Sequence, residues 1–298
     1  MNGLGALIKR NCKLFFRDKG MFFTSLITPA ILLVLYATFL GNVYRDSFSS
    51  AMPDYFTVSD QLINATVGGE LFSSLLAVCC VTVAFCSNML MVQDNVSGAR
   101  RDLTMTPVKK STLAMGYYTA TFISTLIICL IATGLCFIYL AHAGWYLSAA
   151  DTGFIFLDVI LLVLFGTALS SIINMFLSSQ GQISAVGTIV SAGYGFICGA
   201  YMPISQFGAG LQKVVSFLPG TYGTSLIRNH ALRGVFAEMQ VQGFPAEVIE
   251  GIRDSIDCNL YFFGNQVTLS AMYWILGGAV VLLIGVYVLL NILMRRGR

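Results

Sequence analysis

Few side chains in this sequence could do covalent chemistry, and their spacing does not bring them together. The two histidines, His142 and His230, are far apart, and neither has a cysteine or carboxylate at metal-ligand spacing. Among the eight cysteines, Cys79, Cys80, Cys86, Cys129, Cys136 and Cys198 fall in apolar runs, where a thiol behaves as a small hydrophobe. Cys12 and Cys258 are expected on opposite sides of the barrier those runs form, so no structural disulfide is expected. There is no G-x-x-x-x-G-K-[ST] loop and no Gly-Lys dipeptide to hold a nucleotide phosphate. No catalytic, cofactor-binding or metal-binding residue is therefore expected. Asp158 is the one ionisable residue read inside an apolar run, about one turn from its end, within reach of headgroups or water.

What remains is a chemistry of recognition. Residues 93–112, QDNVSGARRDLTMTPVKKST, form a basic polar island between two long apolar runs, with Arg100, Arg101, Lys109 and Lys110 as its cations. Thr106-Pro107 stops a helix begun at Ser97, because the residue before proline is pushed out of the α region. A helix over those residues would be about 15 Å long, enough to seat in a groove of a soluble partner. The other reading is a solvated loop that anchors its two neighbours by charge.

The elements that position this island follow from composition. The 298 residues are 56% hydrophobic and only 10% charged, with a mean hydropathy of +0.78. Soluble domains carry about 25% charged residues, so this is an all-α polytopic membrane protein. Six apolar runs, at 21–40, 71–92, 113–141, 154–177, 183–201 and 271–293, are each near the ~20 residues that cross a bilayer. The first is too long for a cleavable signal, has Pro29 at its middle and lacks a small-residue cleavage site. Ahead of it, residues 4–19 place Leu4, Leu7, Ile8, Cys12 and Phe15 on one helical face and Lys9, Arg10, Lys13 and Arg17 on the other, the pattern of a helix lying on the membrane. A plain charged flank is the alternative.

Basic residues set the orientation. With both termini cytoplasmic, the inner side holds the cations of residues 4–19, those of 93–112, and Arg295, Arg296 and Arg298. The outer side holds only Arg45, Lys213, Arg228, Arg233 and Arg253. The outer loop 41–70 carries Asp46, Asp54, Asp60 and Glu70, and an unfavoured glycosylation sequon at Asn64. Residues 178–182 join spans four and five in a tight hairpin. Segment 202–270 is unusual. Its apolar part, 204–218, is too short to cross and is bracketed by Pro203 and Pro219. A second short amphipathic stretch, 222–236, follows. Together they read as two outer re-entrant half-helices, and 237–268, with Glu238, Glu247, Glu250, Asp254 and Asp257, as a small outer subdomain.

Two stripes recur every fourth residue. Gly187, Ser191, Gly195 and Gly199 form a helix-packing seam, facing either a second copy or neighbours in the same chain. Gly166, Ser170, Asn174 and Ser178 are expected to hydrogen-bond to adjacent helices, at about 0.6 kcal/mol each.

In this order and these places, the motifs resemble the ABC-2 type transporter permeases, over essentially the whole chain. The inner loop supplies Asp94, Gly98, Asp102-Leu103, Pro107 and Lys109-Lys110. The region after the fifth span supplies Pro203, residues 211–217, Pro219-Gly220-Thr221-Tyr222 and Arg228. The chain departs from the family at Gln93-Asp94, where an Arg-Glu pair is common, and at Ala99-Arg100-Arg101.

The resemblance implies the transmembrane subunit of an ATP-driven exporter in the cytoplasmic membrane, not itself an enzyme. ATP and magnesium would sit on a separate ABC ATPase subunit, and a second permease copy or paralogue would complete a dimer; no nucleic-acid partner is expected. Coupling to the ATPase would fall to Asp94, Gly98, Arg100, Arg101, Asp102, Leu103, Pro107 and Lys109. Pro203, Pro219 and Tyr222 would form an outer gate. Phe72, Phe85, Asn88, Tyr194 and Phe196 would line the path for a drug, peptide or lipid-like cargo, or for a polysaccharide or glycolipid. The rivals are a secondary transporter or channel, for which the spans hold too few charges, and a membrane enzyme or assembly scaffold, the enzyme lacking any catalytic set.

Overall fold

The computed structural model describes residues 3–42, 45 and 59–293, and it is almost wholly helical. Helix α1 (Leu4–Arg17) turns at Asp18, whose side chain accepts from the Met21 N–H, into α2 (Lys19–Leu35). The two are bent by 71°. Leu7 and Phe15 are buried beneath α1 while Lys9 and Arg17 lie on its more open side. A π-helical turn, Tyr36–Leu40, carries α2 onward, so residues 21–40 are helical throughout.

Helix α3 (Asp60–Val96) is 37 residues long, α4 (Ala99–Met105) is short, and α5 (Lys110–Ala143) and α6 (Ala149–Met175) are long and apolar. Helix α7 (Gln180–Ile197) is followed by a 3-10 turn (Ile204–Gln206), α8 (Ala209–Val215) and α9 (Pro219–Val241). Then come α10 (Ala246–Ser255), a hairpin of β1 (Tyr261–Phe262) with β2 (Asn265–Gln266), and α11 (Leu269–Leu293). Helices α3, α5, α6 and α11 are each long and apolar enough to cross a membrane, and the bent α1–α2 pair makes a fifth if counted as one broken span.

Helix α3 is the axis of the molecule. Of its apolar window 94% is buried, against 17% for α11 at the periphery. Its small residues explain this. Ser73, Ser74, Ala77, Cys80 and Ala84 let α2, α5, α6, α7 and α9 close around it. Gly166 of α6 shows how close the approach is: a Cβ there would lie 2.9 Å from the Cys80 carbonyl oxygen.

Several expectations are corrected. Residues 60–70, read as outer loop, are the first turns of α3: a Ser59 cap starts the helix early, and Leu62, Ile63 and Ala65 pack against Leu232, Val235 and Phe236 of α9. The sequon falls in that helix, with Thr66 buried. The stretch 222–236 is not a short segment but the middle of the 23-residue α9, buried continuously from Gly220 to Leu232. Its polar residues make it look amphipathic, but their partners lie inside the protein. Segment 204–218 is broken into the 3-10 turn and α8. The expected C-terminal cations Arg295, Arg296 and Arg298, and Asp46 and Asp54, lie outside the described residues.

Candidate functional site

The basic island sits at the Asp94 end of α3. After Ser97 the chain turns at Gly98, whose φ of +86° is a left-handed conformation that favours glycine. That kink starts α4 at Ala99, two residues later than expected. The extended Thr106 before Pro107 ends it. Leu103 and Val108 pack against Leu7, Met91, Leu113 and Tyr117, fixing α4 to the bundle. Arg101, Asp102, Pro107 and Lys109 are exposed, Arg100 is half-buried, and neither Arg101 nor Asp102 forms an ion pair among the described residues.

Asp94 behaves differently from the rest of the expected coupling set. It is buried in the last turn of α3, where Arg10 of α1 grips it with Nη1 and Nη2 at 2.7 and 3.1 Å and the Tyr117 hydroxyl donates at 2.6 Å. Its hydrogen bond holds the Arg10 guanidinium pKa above its ordinary value, against the opposing effect of burial. This residue ties the surface helix to the axis.

At the opposite end of α3 the charges are buried. Arg228 of α9 is 1% exposed. Its Nη2 stands 2.7 Å from Glu70 Oε1, but its N–H groups point elsewhere: to Ser74 Oγ at 3.1 Å and the Gly199 carbonyl at 3.0 Å from Nη2, to the Ile256 carbonyl at 2.6 Å from Nη1, and to Ser73 Oγ at 3.3 Å from Nε. The contact with Glu70 is a charge pair rather than an aligned hydrogen bond. Asp257 Oδ2, 3.7 Å from Nη1, also accepts from the Ile204 N–H at 2.6 Å, and Oδ1 from the Ser205 N–H at 3.2 Å. Burial pushes the Asp257 carboxyl up from its ordinary range, opposed by Arg228 and these two amides. One guanidinium thus joins α3, the end of α7, α9 and the chain leaving α10.

Two residues further along α9, His230 Nδ1 lies 2.7 Å from Asp158 Oδ2, and the Tyr273 hydroxyl of α11 donates to Asp158 Oδ1 at 2.6 Å. Phe154 stacks on the imidazole at 5.0 Å. Asp158 is fully buried, so the expectation that it reaches headgroups or water is corrected, as is the isolation of His230. The reason in both cases is α9, expected as a short re-entrant half-helix, which instead packs its length against α6 and brings His230 to Asp158.

The remaining expected site residues are scattered. Pro203 precedes the 3-10 turn, Pro219 opens α9, and Tyr222 is buried with its hydroxyl 2.5 Å from the Ser216 carbonyl. Phe72, Phe85, Asn88 and Tyr194 are buried within the chain; only Phe196, 51% exposed, faces outward. Asn88 donates to Ser170 and Ser171 at 3.2 and 3.0 Å and accepts from Thr121 at 3.3 Å, as expected of the fourth-span stripe at Ser170, whereas Asn174 of that stripe is buried without a side-chain hydrogen bond among the described residues. In the fifth-span stripe, Gly187 faces Met89 of α3, Gly195 faces the Tyr201 ring, the Ser191 carbonyl accepts from the Tyr201 hydroxyl, and Gly199 sits past the helix end at φ +72°. As placed, these positions meet the chain's own residues.

Neither a curated protein nor a solved structure matches the chain. The model of one family, the ABC-2 type transporter, matches residues 2–231, a stretch that takes in the surface helix, the α4 turn, α3 and α9 as far as His230. With more than three-quarters of its length so matched, the chain belongs to the ABC-2 type transporter family.

Proposed function

We propose that this membrane domain is the permease subunit of an ATP-driven exporter, powered by a separate ATPase subunit that grips α4. The observation that carries the reading is the state of that helix. It is fixed at its root by Leu103 and the Gly98 kink, while Arg101 and Asp102 point to solvent without ion-pair partners among the described residues. Charges held in place but unpaired suit a partner surface, whereas anchoring by positive charge needs no fixed helix. The lack of a phosphate loop in the sequence supports a motor on another chain.

In this reading the chain crosses six times, with α2 and α7 completing the set of long apolar helices, and both termini are cytoplasmic. Two permease subunits and two ATPase subunits form the working unit. The 3-10 turn, α8 and the start of α9, with Pro203, Pro219 and Tyr222, form the outer gate, and an amphipathic drug, peptide or lipid-like cargo leaves through it. The deciding experiment is reconstitution with a separately expressed ABC ATPase subunit that co-purifies with it. Charge reversal at Arg100, Arg101 and Asp102 is expected to leave the membrane fold intact and abolish cargo-stimulated ATP hydrolysis. Wild-type export by that variant would move the handle elsewhere.

One observation favours a second reading. The buried Asp158–His230 pair and the Arg228 cluster give the bundle the charges that an ion-driven carrier needs. Transport by the chain alone, driven by a proton gradient without ATP, would establish it.

A further inference from the structure

A cavity of about 300 Å³ opens at the Glu70 end of the molecule, between the 3-10 turn, α8, the start of α9 and the chain leaving α10. Its walls include Gln212, Tyr222, Asp254, Asp257 and Tyr261, and among the described residues they contain no Lys, Arg or His. The two carboxylates differ. Asp257 is answered by Arg228 behind it and by two backbone N–H groups. Asp254 has no ion pair among the described residues. The Asn259 amide and the Tyr261 hydroxyl both donate to its Oδ1, at 2.8 and 3.0 Å, which leaves Oδ2 without a side-chain hydrogen bond among the described residues. Because Arg228 also faces Glu70, at 2.7 Å, the wall carries negative charge in excess, with an oxygen of Asp254 available.

The shape of the site decides which cation. A hard metal ion takes about six oxygen ligands, and among the described residues no group of three or more His, Cys, Asp or Glu could hold a metal. The wall itself holds two aromatic residues, Tyr222 and Tyr261, and the residues next to it in sequence are aromatic as well. Phe217, next to the wall residue Ser216, and Phe262 and Phe263, following Tyr261, meet with ring centroids 5.2, 6.0 and 4.9 Å apart. Phe217 and Phe263 are 62% and 60% exposed. Aromatic faces attract cations and cover apolar bodies, and the volume is at the small end of ligand pockets.

We infer that this cavity binds an ammonium group carried on an apolar body, with Asp254 as its counter-ion and the phenylalanine cluster covering the apolar part. This site stands independently of how the chain is powered; taking its ligand for the cargo rests on the proposed exporter. The ammonium can come from a soluble amphipathic amine or from an ethanolamine phospholipid.

The test uses the full chain purified in maltoside micelles, which contain no ammonium, titrated with naphthylmethylammonium and with neutral naphthylmethanol. The cation is expected to bind saturably and roughly tenfold more tightly than the alcohol. Asp254→Asn, which keeps the acceptor for Asn259 and Tyr261, is expected to remove that preference without lowering the unfolding midpoint. Equal binding of cation and alcohol to the unaltered chain would overturn the inference, and that comparison needs no variant. So would no saturable binding, or a folded Asp254→Asn chain that keeps the preference. Displacement of the probe by added phosphatidylethanolamine but not phosphatidylglycerol assigns the ammonium to lipid; indifference to both lipids assigns it to a soluble amine. Because no ATPase is present, failure here leaves the exporter reading standing.

Discussion

The two ends of helix α3 treat charge in opposite ways. Around Glu70 the cation and its carboxylates are sealed inside the protein, and six backbone and side-chain groups crowd one guanidinium. Around Asp94 one bidentate pair fastens α1, and the charges of α4 beyond it face solvent. A buried charge must find its partner in the same chain or pay several kcal/mol in lost hydration. An exposed one can wait for a partner from outside. The first end is thus built for internal cohesion, while the second keeps its charges facing solvent.

Substitutions can break or sharpen that contrast. The largest loss of stability is expected from Arg228→Ala, which strands Glu70 and Asp257: about 3–5 kcal/mol, read as a lower unfolding midpoint in detergent. Arg228→Lys should recover part of it, since it keeps the charge but not the fork. A near-neutral Arg228→Ala would mean the buried cluster holds nothing together. Asp158→Asn comes next, at about 1.5–3 kcal/mol, because it weakens the charge-assisted bonds to His230 and Tyr273. Arg10→Ala should cost about 1–2 kcal/mol, with faster hydrogen exchange confined to α1 and the end of α3; uniform exchange across the bundle would contradict the local role given to Asp94. Smallest in stability is the pair Arg101→Glu and Asp102→Lys, expected within about 0.5 kcal/mol of the parent. Under the proposed function it is also the variant that uncouples ATP hydrolysis. A large destabilisation there would show that α4 is bound by its own chain.

The Asp94 end was largely legible in the sequence because its signals are local. The cation-bearing face of residues 4–19 and the Thr106-Pro107 stop each lie within a few residues, and α4 starts only two residues late. Gly98 was singled out, although its reason, a left-handed turn, needed the backbone. The Glu70 end was not legible, because its partners are far apart in the chain: Glu70 with Arg228, Asp158 with His230 and Tyr273. Arg228 and His230 are two residues apart on α9 and so face different neighbours, one toward α3 and the other toward α6. No periodicity in the sequence reports that. One trace was present. The stretch from Gly220 to Leu232 has no acidic residue and only one Arg and one His, which is unusual for a solvent-facing helix. The apparent scarcity of charge in the spans has the same origin, since the partners of Glu70 and Asp158, Arg228 and His230, both lie on α9.

The length of α3 has a mechanical consequence. At 1.5 Å per residue its 37 residues form an unbroken rod of about 55 Å, with α4 rooted at one tip and Glu70 roughly 40 Å away along it. The rod has no proline at which to hinge. Under the proposed function, a tilt of about 5° about the α4 tip would move the Glu70 position by roughly 3 Å, so that a stiff helix would serve as a lever between the ATPase and the Arg228 contacts.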